Sequence, residues 1–189
     1  NGDEIPGNAE LQLLDTTEAK YISRGGLKLE GALKSVGLDV TGLRCLDIGQ
    51  STGGFTDCLL QHGAAQVVGV DVGHGQLHDS LRADGRVVCI EGVNARSLTA
   101  DDLVSHYRRA LHLSSGSEED FDEDFDAEEA GDAAPESDGF DPVFDFLTGD
   151  LSFISLTLVL PAVVRLLKAG GDLLMLVKPQ FELQPGQIG

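Results

Sequence analysis

Short apolar runs, each about the length of one β-strand, alternate along this chain with segments that have helical spacing. Strands are predicted at 44–48, 66–70, 86–90, 143–148 and 172–177. Helices are predicted to end at Gly37, to span 55–62, and to span 155–168 with a kink at Pro161 and a stop at Gly170 and Gly171. Alternating strands and helices are joined by right-handed crossovers, so the strands pair in parallel. We therefore predict an α/β fold, a doubly wound, mostly parallel sheet with helices on both faces.

Polar residues stand at or next to the end of every predicted strand. They are Asp47, Asp71, Glu91, Asp150 and Lys178. In open parallel sheets, ligands bind beyond the carboxyl ends of the strands. We therefore expect a functional site along this edge of the sheet.

A glycine-rich turn follows the first predicted strand and reads DIGQSTGGF over 47–55. Glycine lets the backbone turn sharply and approach a ligand closely, and the helix that follows offers free N–H groups. Asp71 lies 22 residues after Gly49, close to the spacing at which an acidic residue binds ribose hydroxyls. The turn predicts a nucleoside site, and a tight turn in a fold that binds no nucleotide is the alternative.

The spacing of the glycines disfavours NAD or FAD. Their sites carry G-x-G-x-x-G, whereas Ser51 stands at the second glycine position here. Asp47 would repel a pyrophosphate, but it suits a ligand with an amino group, such as the methionine part of S-adenosylmethionine. The residues predicted to bind this cofactor are Asp47, Gly49, Ser51, Gly53, Gly54, Phe55, Asp71, Val72 and Asn94.

The acidic charge of the chain is concentrated in one segment. The net charge is −19, but residues 118–141 hold 13 acidic residues and no basic one, so the rest of the chain has 19 acidic against 13 basic residues, a net of −6. A segment so rich in Ser, Gly, Asp and Glu buries too little apolar surface to fold, so we expect 114–141 to be a disordered insertion. The remaining charge gives no support to nucleic-acid binding.

Cysteine usage and hydropathy argue against a disulfide-rich, a zinc-binding and a membrane-spanning protein. Cys45, Cys58 and Cys89 are odd in number, and their spacing fits neither a disulfide framework nor a zinc site. We therefore expect free thiols, no metal and a cytoplasmic location. The most apolar stretch, 153–164, is shorter than the roughly 20 residues that cross a bilayer, and no signal peptide opens the chain.

Four motifs resemble those of the TlyA/hemolysin A family, whose members contain an FtsJ-like methyltransferase domain. They are YISRGGLKLE at 21–30, DIGQSTGGFTD at 47–57, GDLSFISL at 149–156 and VKPQFE at 177–182. The resemblance implies a Rossmann-like, class I S-adenosylmethionine-dependent methyltransferase domain over 21–189, truncated so that its C-terminal strands are missing. Residues 1–20 resemble a linker and the end of the αL-type RNA-binding domain that precedes it in the family.

The resemblance also implies 2′-O-methylation of ribose in ribosomal RNA. FtsJ-like enzymes use a Lys-Asp-Lys-Glu set, whose first three members match Lys28, Asp150 and Lys178. The Glu is expected from a strand after the end of this chain, and Glu182 is not an obvious substitute. A ribose hydroxyl is a poor nucleophile that needs a base or a cation. We expect Lys178 to deprotonate or orient it, while Asp150 and Lys28 position Lys178 and the ribose.

Further contacts are expected around this set. Arg24 and Arg96 are predicted to bind RNA, Arg24 through phosphate. Gln50 replaces a small residue of the family's turn, and we expect it to face the cofactor. The predicted partner is ribosomal RNA or a ribosomal subunit, without a membrane, and the oligomeric state is open.

Two other functions stay open on the sequence. A non-catalytic module that binds S-adenosylmethionine or RNA is one, because the fourth catalytic residue is missing. A membrane-active hemolysin, suggested by the family's name, is the other. The absence of an amphipathic or spanning segment from the sequence argues against it.

Overall fold

A computed structural model of the chain describes residues 20–115 and 140–183. Its elements are α1 (Gly25–Val36), β1 (Arg44–Ile48), α2 (Gly54–Gln61), β2 (Gln66–Val70), α3 (Asp79–Arg82), β3 (Val87–Ile90), α4 (Ala100–Ser115), β4 (Phe144–Gly149), α5 (Leu156–Val163), a 3-10 turn (Val164–Leu166), β5 (Leu167–Met175) and α6 (Pro179–Glu182). The strands form one sheet in the order β3-β2-β1-β4-β5, and every described pair is parallel. The predicted α/β fold with a parallel sheet is confirmed.

Helices cover both faces of the sheet. On one face α1, α2 and α3 pack on the strands through Leu29, Leu33, Phe55, Cys58, Leu59, Leu81 and their neighbours. On the other face α4 and α5 pack on the strands through Leu103, Val159, Val163, Phe144, Leu147 and their neighbours. The central strands are buried on both faces, which explains why apolar residues stand next to each other in β1 and β2 instead of alternating with polar ones.

The end of α5 and the start of β5 differ from the prediction. The helix ends at Val163 instead of Lys168, and the strand begins at Leu167, which pairs with Phe144. The next β4 residue in the ladder, Phe146, pairs with Asp172, so three extra residues bulge from β5. Gly170 adopts φ +82° within this bulge. Gly170 and Gly171 therefore belong to an irregular strand and do not stop a helix.

Helix α4 is an element that the sequence analysis did not identify. It begins with a reciprocal cap in which Thr99 Oγ1 donates to Asp102 Oδ2 at 2.7 Å and accepts from the N–H of Asp102 at 3.1 Å. A Thr followed three residues later by an acidic residue is a sequence signal for a helix start. That signal was available at 99–102.

The structure describes residues 114–115 and 140–141, at the two ends of the segment that is predicted to be disordered. Residues 114–115 complete α4. Phe140 stacks on Tyr107 with ring centroids 3.7 Å apart, and Arg44 Nη2 donates to the carbonyl of Asp141 at 2.9 Å. Aromatic stacking and these backbone contacts order a stretch that composition alone marks as polar. Residues 116–139 lie outside the described part, as do residues 1–19 with the predicted RNA-binding remnant.

Candidate functional site

The turn after β1 has three residues in the left-handed region of backbone space, and the first two shape its contact with β2 and β4. Gly49 has φ +80° and Ser51 has φ +49°. The N–H of Gly49 donates to the carbonyl of Val70 at 2.8 Å, which ties the turn to the end of β2. A Cβ at Gly49 would lie 2.9 Å from Leu151 Cδ2. Glycine therefore lets the segment after β4 pack directly against the turn after β1.

Asp71, directly after β2, connects this turn to the loop before α3. Its Oδ2 accepts from the N–H of Ser51 and its Oδ1 accepts from the N–H of Gly73, both at 2.7 Å. Ser51 Oγ also donates to Gln76 Oε1 at 3.1 Å. The carboxylate is thereby fixed in position, and each oxygen keeps a lone pair for another donor.

A cavity of about 480 Å³ opens beside Asp71. Its walls are Gly49, Ser51, Val70, Asp71, Val72, Gln76, Val93, Asn94, Ala95, Asp150, Leu151, Ser152, Phe153, Ile154 and Val159. Its size and its mixture of apolar walls with a few polar groups suit a small-molecule ligand. Five of the nine residues predicted to bind the cofactor lie here: Gly49, Ser51, Asp71, Val72 and Asn94.

A second cavity of about 550 Å³ adjoins the first. Its walls are Ser23, Arg24, Gly25, Lys28, Gly49, Gln50, Ser51, Thr52, Gly54, Phe55, Asp150, Ser152 and Lys178. The two cavities share Gly49, Ser51, Asp150 and Ser152. A ligand in one cavity and a ligand in the other would therefore meet next to Asp150.

Asp150 lies between two lysines at this junction. Lys28 Nζ is 3.0 Å from Asp150 Oδ2, and Lys178 Nζ is 2.5 Å from Asp150 Oδ1. Burial raises the pKa of Asp150, but hydrogen bonds and charges from Lys178 and Lys28 outweigh burial and hold that pKa below its usual value. The carboxylate is therefore ionised at neutral pH. The three residues predicted to be catalytic thus form one cluster.

The two lysines are enclosed to different degrees. The side chain of Lys178 is 19% exposed, whereas that of Lys28 is 52% exposed. Lys178 also donates to Ser152 Oγ at 2.7 Å. Ser152 lines both cavities, yet the sequence analysis assigned it no role. Its contact joins two distant parts of the chain, so no local pattern indicates it.

Asp47 is buried beneath the turn and 1% exposed. Its Oδ2 accepts from Thr56 Oγ1 at 2.7 Å, and Thr56 Oγ1 accepts from Gln50 Nε2 at 2.9 Å. Asp47 Oδ1 and Gln50 Oε1 have no hydrogen-bond partner among the described residues. Burial raises the pKa of Asp47 to about 7, although hydrogen bonds with Thr56 oppose the shift.

The cofactor contacts expected of Asp47, Gly53 and Gln50 stay predictions, and the structure places these residues as follows. Asp47 lines neither described cavity, because its strand end lies under the turn. Gly53 lines neither cavity as well, and a Cβ there would collide with Leu77 and Leu81. Its role is packing at the start of α2, where it adopts φ +96°. Gln50 borders the second cavity, but its amide is buried over Gly69 and does not face outward.

The remaining predicted residues lie as follows. Gly54 and Phe55 line the second cavity together with Arg24, whereas Arg96 is exposed and lines neither cavity. Glu182 lies apart from the lysine cluster, since it accepts from Ser155 Oγ at 2.5 Å and from the N–H of Leu156 at 2.8 Å. Glu182 therefore caps the start of α5, where a negatively charged side chain stabilises the helix dipole.

Residues 20–115 and 140–183 contain no group of three or more His, Cys, Asp or Glu side chains that could hold a metal ion. The three cysteines are free thiols, with Cys45 and Cys58 buried. None of the described helices combines the length and the apolar character needed to cross a membrane.

The sequence is similar to those of characterised proteins. The FtsJ-like methyltransferase family pattern matches residues 21–189. The chain is 42% identical over 185 residues to the 16S/23S rRNA (cytidine-2′-O)-methyltransferase TlyA of Mycobacterium tuberculosis, covering 98% of this chain and 55% of that protein. It is 38% identical over 169 residues to Hemolysin A of Brachyspira hyodysenteriae, covering 89% of this chain and 55% of that one.

The fold is also similar to a solved structure. A provisionally named hemolysin from Streptococcus thermophilus matches at 39% identity and a TM-score of 0.66, over 90% of this chain and 49% of that one. The chain spans about half the length of the curated relatives it matches. These identities confirm the resemblance to the TlyA/hemolysin A family. Because the family pattern covers every described helix and strand, the chain belongs to the FtsJ-like methyltransferase family.

Proposed function

We propose that this chain transfers a methyl group from S-adenosylmethionine to the 2′ oxygen of a ribose in ribosomal RNA. The observation that carries the proposal is the pairing of Asp150 with Lys28 and Lys178 at the junction of two adjoining cavities. One cavity has the size and polar groups for a nucleoside cofactor, and the other has the cations for a nucleic acid. The names of the ribosomal RNA methyltransferase relatives support the same substrate.

Three observations support S-adenosylmethionine as the ligand of this site. Asp71 keeps lone pairs for the two hydroxyls of a ribose. Val72, Asn94 and Ile154 supply apolar and amide surface for an adenine base. Beneath the turn, Asp47 lines neither cavity, but its Oδ1 is buried without a hydrogen-bond partner among the described residues, and an amino group that reached it would supply one.

The bound cofactor supplies an electrophilic methyl group on a sulfonium. The protein must hold a ribose hydroxyl close to it, so that the oxygen–methyl bond forms as the sulfur–methyl bond breaks and the hydroxyl proton passes to water. Asp150 is ionised and holds Lys28 and Lys178 on its two oxygens. Lys178 is the better enclosed of the two, so we assign to Lys178 the contact with the hydroxyl. Lys28 and Asp150 orient Lys178 and hold the ribose.

The second cavity is the proposed entry for RNA. Arg24 lies at the start of α1 and lines the same cavity as Lys28 and Lys178. A guanidinium there can bind a backbone phosphate next to the target ribose, which positions RNA without reading sequence. Arg96 lies outside both described cavities, so we assign it a contact with RNA farther from the target nucleotide.

Transfer of a tritiated methyl group to ribosomal subunits and to deproteinised ribosomal RNA tests this function. A methyl on the 2′ oxygen blocks alkaline cleavage of the adjacent linkage, so the label should remain in alkali-resistant dinucleotides. Label in mononucleotides after hydrolysis would refute ribose methylation. Binding of S-adenosylmethionine in calorimetry without any transfer would support the non-catalytic module, and leakage of liposomes would support a hemolysin.

A further inference from the structure

Ser152 is a polar side chain at the junction of the two cavities that none of the roles above uses. It lies two residues after Asp150 and is exposed. Its Oγ accepts a hydrogen bond from Lys178 Nζ at 2.7 Å. Among the described residues, only Gly49, Ser51, Asp150 and Ser152 line both cavities. Ser152 therefore contacts the reactive lysine at the place where the two ligands would meet.

The geometry of an ammonium group explains what this contact does. Lys178 Nζ has three N–H bonds. Nζ forms an ion pair with Asp150 Oδ1 at 2.5 Å and donates a hydrogen bond to Ser152 Oγ at 2.7 Å. These two contacts limit the orientations of the ammonium and leave an N–H for a substrate oxygen. With one partner alone, a lysine side chain with four rotatable bonds would sample several directions.

The backbone around Ser152 is held in an unusual shape. Phe153 adopts φ +65° although it is not glycine, and its side chain is 91% exposed. Left-handed backbone at a bulky residue is unfavourable, so the surrounding structure must impose it. Leu151 packs against the Gly49 turn on the preceding side. The segment thus presents Ser152 to Lys178 from a fixed position.

We propose that Ser152 is a positioning residue that acts through Lys178. It holds the ammonium between Asp150 and its own hydroxyl, so that the remaining N–H points into the space shared by the two cavities. The inference rests on the proposed methyl transfer. It adds that the orientation of Lys178 depends on a hydroxyl at position 152 as well as on the carboxylate of Asp150.

Three variants test it: Ser152→Ala, Ser152→Thr and Ser155→Ala. Ser152→Ala should lower kcat for methyl transfer about 10- to 100-fold, since a misdirected general base or cation loses much of its effect. The KM for S-adenosylmethionine should not change. Ser152→Thr keeps the hydroxyl and should stay within about threefold of the wild type. Ser155→Ala is the matched control, because Ser155 caps α5 in the same segment and does not touch Lys178.

Two kinetic results would overturn the inference. A Ser152→Ala enzyme as active as the wild type would mean that Asp150 alone orients Lys178. An equal loss of kcat in Ser155→Ala would mean that rigidity of the segment is what matters, and not the hydroxyl at position 152. In both cases the proposed methyl transfer would stand.

A second measurement does not depend on turnover. Acylation of the lysine amines by acetic anhydride can be followed residue by residue with mass spectrometry. Ser152→Ala should speed labelling of Lys178 and leave Lys28 unchanged, because an amine held by one partner is more accessible than an amine held by two. Equal labelling of Lys178 in wild type and Ser152→Ala would refute the contact. If the wild type transfers no methyl group, the proposed function fails, and the labelling still decides whether Ser152 holds Lys178.

Discussion

At the scale of single residues, Asp71 is held in one orientation, which would favour the ribose contact proposed for it. Both carboxylate oxygens already accept a backbone N–H at 2.7 Å, one from Ser51 and one from Gly73. The charge therefore does not have to be reoriented when a ribose binds, and preorganisation of this kind reduces the cost of binding.

Replacing Asp71 should weaken binding of the cofactor without slowing the methyl-transfer step. We expect Asp71→Ala to raise the Kd for S-adenosylmethionine about 10- to 100-fold, because a hydrogen bond to a charged group contributes about 1.5–3 kcal/mol. Methyl transfer at saturating cofactor should persist. Calorimetry and single-turnover transfer would measure the two effects.

Glu91→Ala provides a matched control for the Asp71 variant. Glu91 follows the neighbouring strand and accepts from the N–H of Gly75 at 2.9 Å, but it lines neither described cavity. Its removal should loosen a loop and leave the Kd unchanged. Equal losses of affinity in both variants would show that Asp71 acts only by ordering the backbone.

At the scale of elements, the turn between β1 and α2 depends on a glycine for packing. Gly53 has φ +96°, and a Cβ there would collide with Leu81 and lie 2.7 Å from Leu77 Cδ1. Gly53→Ala should lower the free energy of unfolding by about 2–4 kcal/mol, from backbone strain and overpacking together. The midpoint of urea denaturation measures it.

Gly42→Ala separates the two causes. Gly42 also has a positive φ, +75°, but a Cβ there would meet nothing within 4 Å. Only backbone strain acts at this position, so Gly42→Ala should lower the free energy of unfolding by about 1 kcal/mol. Similar losses at both positions would mean that Leu77 and Leu81 move aside without cost.

Comparison of the strands and helices with their predicted bounds shows which features local sequence can predict. β1 and β2 have the predicted bounds, because strands buried on both faces place apolar residues next to each other in the sequence. The boundary between α5 and β5 was mispredicted, because it depends on Leu167 pairing with a residue of β4 far along the chain. Ser152 was missed for the same reason, since its contact with Lys178 spans 26 residues.

At the scale of the whole molecule, the parallel sheet brings distant residues to one edge. Lys28 and Asp150 are 122 residues apart in sequence, and their side chains lie 3.0 Å apart. Asp47, Asp71 and Asp150 are also near enough that the last two raise the pKa of the first. The edge that gathers the site therefore also gathers negative charge.

This charge should appear in the pH dependence of stability. Burial raises the pKa of Asp47 to about 7 in the folded protein, whereas an unfolded Asp titrates near pH 4. Between these values the folded chain holds a proton that the unfolded chain has lost. The contribution of Asp47 to stability is therefore full below about pH 4, falls as pH rises to about 7, and is lost above it.

Asp47→Asn removes this dependence. Relative to the variant, the wild type should lose up to about 2–3 kcal/mol of unfolding free energy between pH 5 and pH 8. Urea denaturation at the two pH values measures the difference, and the histidines cancel in the comparison. Parallel pH profiles for the two proteins would show that Asp47 is already ionised when folded.

The cluster of Asp150 with Lys28 and Lys178 is proposed to carry out methyl transfer. Its test is the single-turnover rate of Lys178→Ala beside that of Lys168→Ala, whose ion pair with Asp145 at 3.0 Å lines neither described cavity. Lys178→Ala should bind S-adenosylmethionine with unchanged Kd and transfer no methyl group to ribosomal RNA, while Lys168→Ala transfers at the wild-type rate. Transfer by Lys178→Ala at the wild-type rate would mean that Lys178 has no part in the reaction.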